Sequence, residues 1–252
     1  MTSTQRVLLA SLALGGLAFA VTGVSGQSGS QLQGVDVSVF QGSINWTTLR
    51  NSGVSFVIIR AGHGTATASS VDTNFATNWA NAKNAGLTRG AYWFVTPQAT
   101  PSLSQDAISV ANLFVKTVQP KQGDLQLCLD LENTGGLNAT DLRTWVQAFC
   151  GQVQTLTHRP AIIYTGSFFW NDNLNSWTNN MNCALWLAQW TTNPNPSSMP
   201  AAWTTWTFWQ YSSTGTGSTY GMSSTNVDLD RSNGGASLLQ QLTFPRDPTQ
   251  RK

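Results

Sequence analysis

Two periods of apolar and polar positions alternate along the chain. Short runs rich in β-branched and aromatic residues recur, and between them lie longer stretches with an apolar residue every three or four positions. Residues 55–61 (Ser-Phe-Val-Ile-Ile-Arg-Ala) are almost wholly apolar, as in a strand covered on both faces. The same reasoning predicts strands at 34–40, 90–95, 125–132, 161–164, 184–189, 207–211 and 227–229. Helices are predicted at 75–85, closed by Gly86 in a C-cap position, at 103–118, ended by Pro120, and at 141–154. Residues 167–173 read as a short helix or turn. The early strands are each followed by a helix, whereas the last three have little helix between them. Alternating βα units predict a parallel sheet, and this many strands predict a closed barrel with an incomplete helical layer. A doubly wound open sheet is the other architecture the pattern allows. No internal repeat is visible. Residues 233–252 carry little pattern and read as a loose C-terminal tail.

The N-terminus reads as a targeting segment. Arg6 precedes the apolar run 7–21, followed by the small residues Ser25 and Gly26. This is the layout of a secretory signal peptide over residues 1–26, with cleavage after Ala20 or after Gly26. The run is short for a membrane span, so a signal anchor fits less well, and no later stretch is long and apolar enough to cross a bilayer. The expected mature protein is extracellular, with no membrane partner. Charged residues are only 10% of the chain and the net charge is +2, so nothing points to a nucleic-acid partner. Ser, Thr, Asn, Gln and Gly take their place. No heptad pattern or interface stripe appears, and a monomer is expected.

Secretion changes how the cysteines are read. Of Cys128, Cys150 and Cys183, Cys128 alternates in phase with Asp130 and Glu132, so it should point inward and stay reduced. Cys150 ends a helical pattern and Cys183 precedes a strand, which makes Cys150–Cys183 the preferred disulfide. Asn45-Trp46-Thr47 and Asn138-Ala139-Thr140 are glycosylation sequons, usable where secretion passes through an endoplasmic reticulum.

The sharpest chemical signal is Leu129-Asp130-Leu131-Glu132 at the end of a buried strand. Residues i and i+2 of a strand face one side with Cα atoms about 6.5–7 Å apart. Two carboxyl groups so placed cannot both ionise cheaply in a low dielectric, and one becomes a proton donor near neutral pH. Hydrolysis of a glycosidic bond needs such a donor and a second acid for the developing cation. Asp36 in the first strand and Asp228 in the last face the same mouth if the barrel closes, with Asp230 competing for the role of Asp228. Acids number only 11, so four at strand ends favour a site over chance. The chain also holds 11 Trp and 11 Phe. Aromatic faces stack on sugars, but most of these rings belong in the core. The aromatics near strand ends are Tyr92, Phe94, Tyr164, Trp186, Trp190 and Tyr211. A sugar-stacking groove is the preferred reading for Tyr92, Tyr164 and Trp186, and barrel packing is the alternative. Alternation turns Trp93 away from Tyr92 and Phe94, towards an outer core. Gln189 and Gln210 can hydrogen-bond acetamido groups or satisfy one another's surroundings.

Read together, these residues resemble glycoside hydrolase family 25, the Chalaropsis-type lysozymes. The resemblance runs in order through Gly34-Val35-Asp36-Val37-Ser38-Val39-Phe40-Gln41-Gly42, Ile44-Asn45-Trp46, Val57-Ile58-Ile59-Arg60-Ala61, Asp72 and Phe75. It continues through Gly90-Ala91-Tyr92-Trp93-Phe94, Leu129-Asp130-Leu131-Glu132, Ile163-Tyr164-Thr165, Leu185-Trp186-Leu187-Ala188-Gln189-Trp190, Trp209-Gln210-Tyr211 and Val227-Asp228. It covers about residues 33–232, the expected catalytic domain. A His often stands in the family where this chain has Trp93. The resemblance implies a (β/α)5(β)3 barrel of the α/β class and hydrolysis of the β-1,4 bond between N-acetylmuramic acid and N-acetylglucosamine in peptidoglycan. It implies Glu132 as proton donor, Asp130 as its partner, and Asp36 and Asp228 tuning charge and holding substrate, while Arg60, Tyr92, Phe94, Tyr164, Trp186, Gln189 and Trp190 are the candidate glycan contacts beside them. Two acids on one strand do not fit a simple two-carboxylate retaining pair, which favours assistance by the substrate's own acetamido group. No cofactor or metal is implied, and His63 and His158 lack ligand spacing and read as loop residues. The competing readings are a family 18 chitinase, whose longer Asp-rich signature is missing, and a non-catalytic peptidoglycan- or chitin-binding protein, which the presence of all four acids opposes.

Overall fold

The computed structural model describes residues 30–245. The predicted signal segment lies outside them. Eight strands close into one barrel: β1 (Gln33–Val37), β2 (Val54–Gly64), β4 (Thr88–Val95), β5 (Cys128–Asp130), β6 (Ile162–Gly166), β7 (Ala184–Ala188), β8 (Phe208–Thr216) and β9 (Asn226–Ser232). A further strand, β3 (Ser69–Val71), folds back on β2 as a hairpin outside the ring. Six successive pairings, from β1–β2 to β7–β8, are parallel. β9 returns antiparallel to both β8 and β1 and so closes the barrel. Helices α1 (Trp46–Asn51), α2 (Phe75–Asn84), α3 (Leu103–Val118), α4 (Ala139–Thr157) and α5 (Ser167–Asn173) follow the early strands. No helix separates β7 from β8, and only a short 3-10 turn separates β8 from β9. This is the closed barrel with an incomplete helical layer that the pattern predicts, not the open sheet.

Strand alternation produces two cores. Phe56, Ile58, Tyr92, Leu125, Cys128, Ile162, Tyr164, Trp186 and Phe208 fill the barrel interior. Val57, Ile59, Trp93, Leu129, Ile163, Leu187 and Trp209 point the other way, into the layer shared with α3 residues such as Phe114 and α4 residues such as Phe149. Trp93 packs there against Phe114, as its phase requires. Gly34 is needed where β1 crosses the packed interior, because a Cβ there would stand 2.2 Å from the Phe56 ring.

Three differences from the sequence reading have physical causes. The predicted strand 125–132 shortens to β5, since Leu125 pairs instead with Thr243 and the chain leaves the sheet after Asp130. The expected loose tail is ordered up to residue 245: α6 (Ala236–Leu242) buries Leu238 and Leu239, and Leu239 joins the barrel-interior cluster as a plug beneath Phe56 and Phe208. Four scattered apolar residues were too few to show as a pattern. The expected Cys150–Cys183 disulfide is not formed. Cys183 Sγ donates instead to the Met181 carbonyl at 3.8 Å, and all three cysteines are buried free thiols.

Candidate active site

Parallel strands carry their C-terminal ends to one rim, and loops there open a cavity of about 480 Å³. Asp36 reaches it from the end of β1, Arg60 from β2, Tyr92 and Phe94 from β4, Asp130 from the last residue of β5, and Glu132 from two residues beyond. Asp228 joins them because β9 runs in the opposite sense, so that its beginning rather than its end meets the rim, directly across from Asp36. All four expected acids therefore line one cavity. Phe40, Gln41, Ser38 and His63 complete its wall. His63 was expected in a loop, but β2 is longer than its apolar run and carries His63 to the rim.

The acids differ in surroundings. Asp130 is buried, its Oδ1 has no hydrogen-bond partner, and burial followed by the Glu132 charge raises its pKa well above the usual range, against the pull of Arg60. Glu132 stands at the open mouth, and its pKa rises through desolvation and then the Asp228 charge. Desolvation pushes Asp228 up to about 6. Asp36 is raised by burial and then by Asp230 and Asp228, while a 2.7 Å hydrogen bond donated by Gln210 Nε2 to its Oδ2 works the other way. Arg60 is fixed by its 2.8 Å ion pair with Asp72, whose Oδ2 also accepts the Val39 backbone N–H at 2.9 Å. One side chain thus ties the loop after β1 to β2. The exposed Phe40 ring covers the Arg60 guanidinium at 4.7 Å.

Beneath the acids lies a bonded layer. Tyr164 and Trp190 both donate to Gln210 Oε1 at 2.9 Å, and Trp186 Nε1 donates to Asp230 Oδ1 at 2.8 Å. Trp186 packs edge-on against Tyr164 and Tyr92, with ring centroids 4.6 and 6.0 Å away. Trp186 and Tyr164 were expected to stack on sugars, but both are buried and lie outside the cavity lining. They pack into the barrel-interior cluster with Phe208 and Ile162 and form the cavity floor. Gln189 is also displaced from the cavity. Its amide holds the loop after β7, donating to Ser198 Oγ and accepting from the Ser197 backbone N–H, both at 2.6 Å. Trp190 is exposed on the rim. Asn45 and Asn138 are exposed N-caps of α1 and α4.

Phe40, which lines the cavity, escaped the sequence reading as a site residue, and Asp230, which the sequence offers as a competitor for the role of Asp228, is fully buried beneath the cavity. Phe40 had a signal, an aromatic in the first motif. Asp230 had only its i+2 phase with Asp228.

This arrangement of acids at a barrel mouth can be set beside known proteins. The signature of "Glycosyl hydrolases family 25" matches residues 35–220. The chain belongs to that family. It is 37% identical to lysozyme M1 of Streptomyces globisporus over 84% of this chain and 71% of the relative. It is 31% identical to the N,O-diacetylmuramidase of Chalaropsis sp. over 72% of this chain and 88% of that one. A crystal structure of a bacterial lysozyme from Streptomyces coelicolor superposes with a TM-score of 0.75 at 35% identity, covering 85% of this chain and 98% of that one. The family 25 fold, a single α/β barrel, and the class, a glycoside hydrolase of lysozyme type, are those the sequence implies.

Proposed function

We propose that this family 25 enzyme is a secreted lysozyme that cleaves the β-1,4 bond between N-acetylmuramic acid and N-acetylglucosamine, with Glu132 as general acid and Asp130 as its partner. The observation that carries the reading is the contrast within one pair: a buried Asp130 with an unpartnered Oδ1 beside a solvent-facing Glu132 at the cavity mouth. A buried carboxylate oxygen without a donor is costly, and the acetamido N–H of a bound sugar is a donor of the right kind. Burial and the Glu132 charge raise the pKa of Asp130, with Arg60 working the other way, and desolvation followed by the Asp228 charge favours the proton on Glu132.

In this reading Glu132 gives its proton to the glycosidic oxygen as the bond to the anomeric carbon breaks. The acetamido carbonyl oxygen of the same sugar bonds to that carbon, and its nitrogen, now cationic, is held by Asp130. A water then attacks the anomeric carbon, giving its proton to the Glu132 carboxylate and freeing the acetamido group. Asp36 and Asp228 hold substrate and shape the charge of the cavity. Phe94, Tyr92 and the exposed Phe40 and Trp190 supply apolar faces for the glycan. The names of the relatives, lysozyme and N,O-diacetylmuramidase, support this substrate. Residues 33–232 are the catalytic unit in this reading, and residues 1–26 direct it out of the cell.

Reducing digested peptidoglycan with borohydride and identifying the alcohol at the new chain ends tests the bond cleaved. Muramitol is expected; glucosaminitol alone would mean that the neighbouring bond is cut and the substrate register proposed here is wrong.

A further inference from the structure

The mechanism leaves one fully buried acid without a task. Asp230 sits on β9 opposite Gly34, where the Phe56 ring fills the space that a side chain on β1 would take. Its side chain shares the interior face with Asp228, two residues earlier, and reaches diagonally to Asp36 on β1. As diagonal neighbours on paired strands, the two carboxyl groups stand close enough for the charge of one to bear on the other. Each has one oxygen already committed: Asp230 Oδ1 accepts Trp186 Nε1–H at 2.8 Å and Asp36 Oδ2 accepts Gln210 Nε2–H at 2.7 Å. Asp230 Oδ2 is buried and has no donor. Two carboxylates facing each other offer acceptors only. A proton between them gives Asp230 Oδ2 the hydrogen bond it lacks.

We propose that Asp230 is a positioning residue that shares one proton with Asp36, so that this buried pair carries a single negative charge and Asp36 is held facing the cavity. The titratable groups facing the pair are Asp228 on β9, Asp130 and Cys128 on β5, Tyr92 on β4 and Tyr164 on β6, with Tyr211 on β8 at the edge of Asp230's field. None of these is a cation. Burial raises the pKa of the thiol and of each tyrosine, so they stay neutral where the acids ionise. Burial and the neighbouring acids likewise favour the protonated pair. The shared proton removes one charge from a mouth that would otherwise hold five carboxylates, Asp36, Asp130, Glu132, Asp228 and Asp230, against Arg60, itself paired with Asp72.

The proposal rests on Asp36 belonging to the working site, and its test separates the two claims. In Asp230→Asn the amide oxygen still accepts from Trp186, and the amide nitrogen replaces the proton as donor to Asp36. Infrared difference spectra of wild type and variant at neutral pH are expected to show one protonated carboxyl lost. Asp36→Asn is expected to remove the same absorption from the other side, which keeps the test open if one variant folds poorly. In kcat/KM on peptidoglycan the alkaline limb, set by the general acid Glu132, is expected to stay in place in Asp230→Asn, because the variant and wild-type pairs each carry one negative charge. Folded variants that keep the full carboxylic-acid absorption, or an Asp230→Asn alkaline limb moved downward by about one pH unit or more, as loss of a second negative charge near Glu132 would require, would overturn the proposal. The infrared arm reads the proton whatever the enzyme hydrolyses, so failure of the lysozyme reading would look different.

Discussion

At the scale of single residues, depth in the barrel separates the roles. Tyr164, Trp186, Gln210 and Asp228 all face the barrel interior, whereas the sequence placed the aromatics only at or near strand ends. It did not say how far up the barrel each stands, because depth depends on the register between strands. Trp186 lies beside Phe208 and Tyr164, one step below Ala188, and is therefore sealed in. The two acids of Leu129-Asp130-Leu131-Glu132 were legible because their spacing and the end of an apolar run place them together. Asp130→Asn is expected to lower kcat by roughly 10²-fold or more with a smaller change in KM, since the anion acts on charge that develops only during reaction. Steady-state kinetics on peptidoglycan check it; an effect confined to KM would reduce Asp130 to a binding residue. Asp228 supplies a stability test. Its folded pKa of about 6 exceeds the ordinary value of 3.8, so its contribution is fully present below about pH 4 and is lost as pH rises through 6. Asp228→Asn should therefore raise the thermal midpoint at pH 7.5 and leave it nearly unchanged at pH 4. A gain of equal size at both pH values would exclude a charge effect.

At the scale of elements, buried polar ties do what spacing alone cannot foretell. Asp106 on α3 is fully buried and accepts Trp145 Nε1–H from α4 at 2.7 Å, with the backbone N–H groups of Ala66 and Gln98 at 2.9 and 3.1 Å. One carboxylate thus holds α3, α4 and the loops after β2 and β4. Asp106→Ala leaves the buried Trp145 indole and two partly buried backbone donors without an acceptor and should cost about 3 kcal/mol or more. Denaturant unfolding measures it, and a loss under 1 kcal/mol would mean that water replaces the carboxylate at low cost. The helix α6 was missed because its apolar residues make sense only against the barrel's lower end. Leu239→Ala should cost about 2–4 kcal/mol by opening a cavity inside the barrel, while kcat, set at the opposite rim, stays close to wild type. The long helices were legible for the converse reason: α3 spans the very residues its apolar repeat predicts, and α4 extends the predicted helix to a cap at Asn138.

For the whole molecule, the alternation of strands and helices and its loss near the end made the barrel readable before any contact was known. What could not be read was that β9 runs antiparallel to both neighbours, since a short strand carries no mark of direction. That reversal brings Asp228 to the rim and sinks Asp230 below it. The resulting acids, Asp36, Asp130, Glu132, Asp228 and Asp230, have raised pKa values in the folded protein. Each contributes stability that is present below the unfolded carboxylate range and lost as pH rises. Burial of the site thus favours the folded state most in mild acid. The central claim concerns the chemistry of this mouth. Release of new reducing ends from purified peptidoglycan, with colloidal chitin alongside, by wild type and Glu132→Gln, tests it most directly. The expected result is turnover of peptidoglycan that falls by about 10²–10⁴-fold in the variant, with wall binding retained. Activity on chitin alone, or a Glu132→Gln enzyme as fast as wild type, would contradict a lysozyme that works through Glu132.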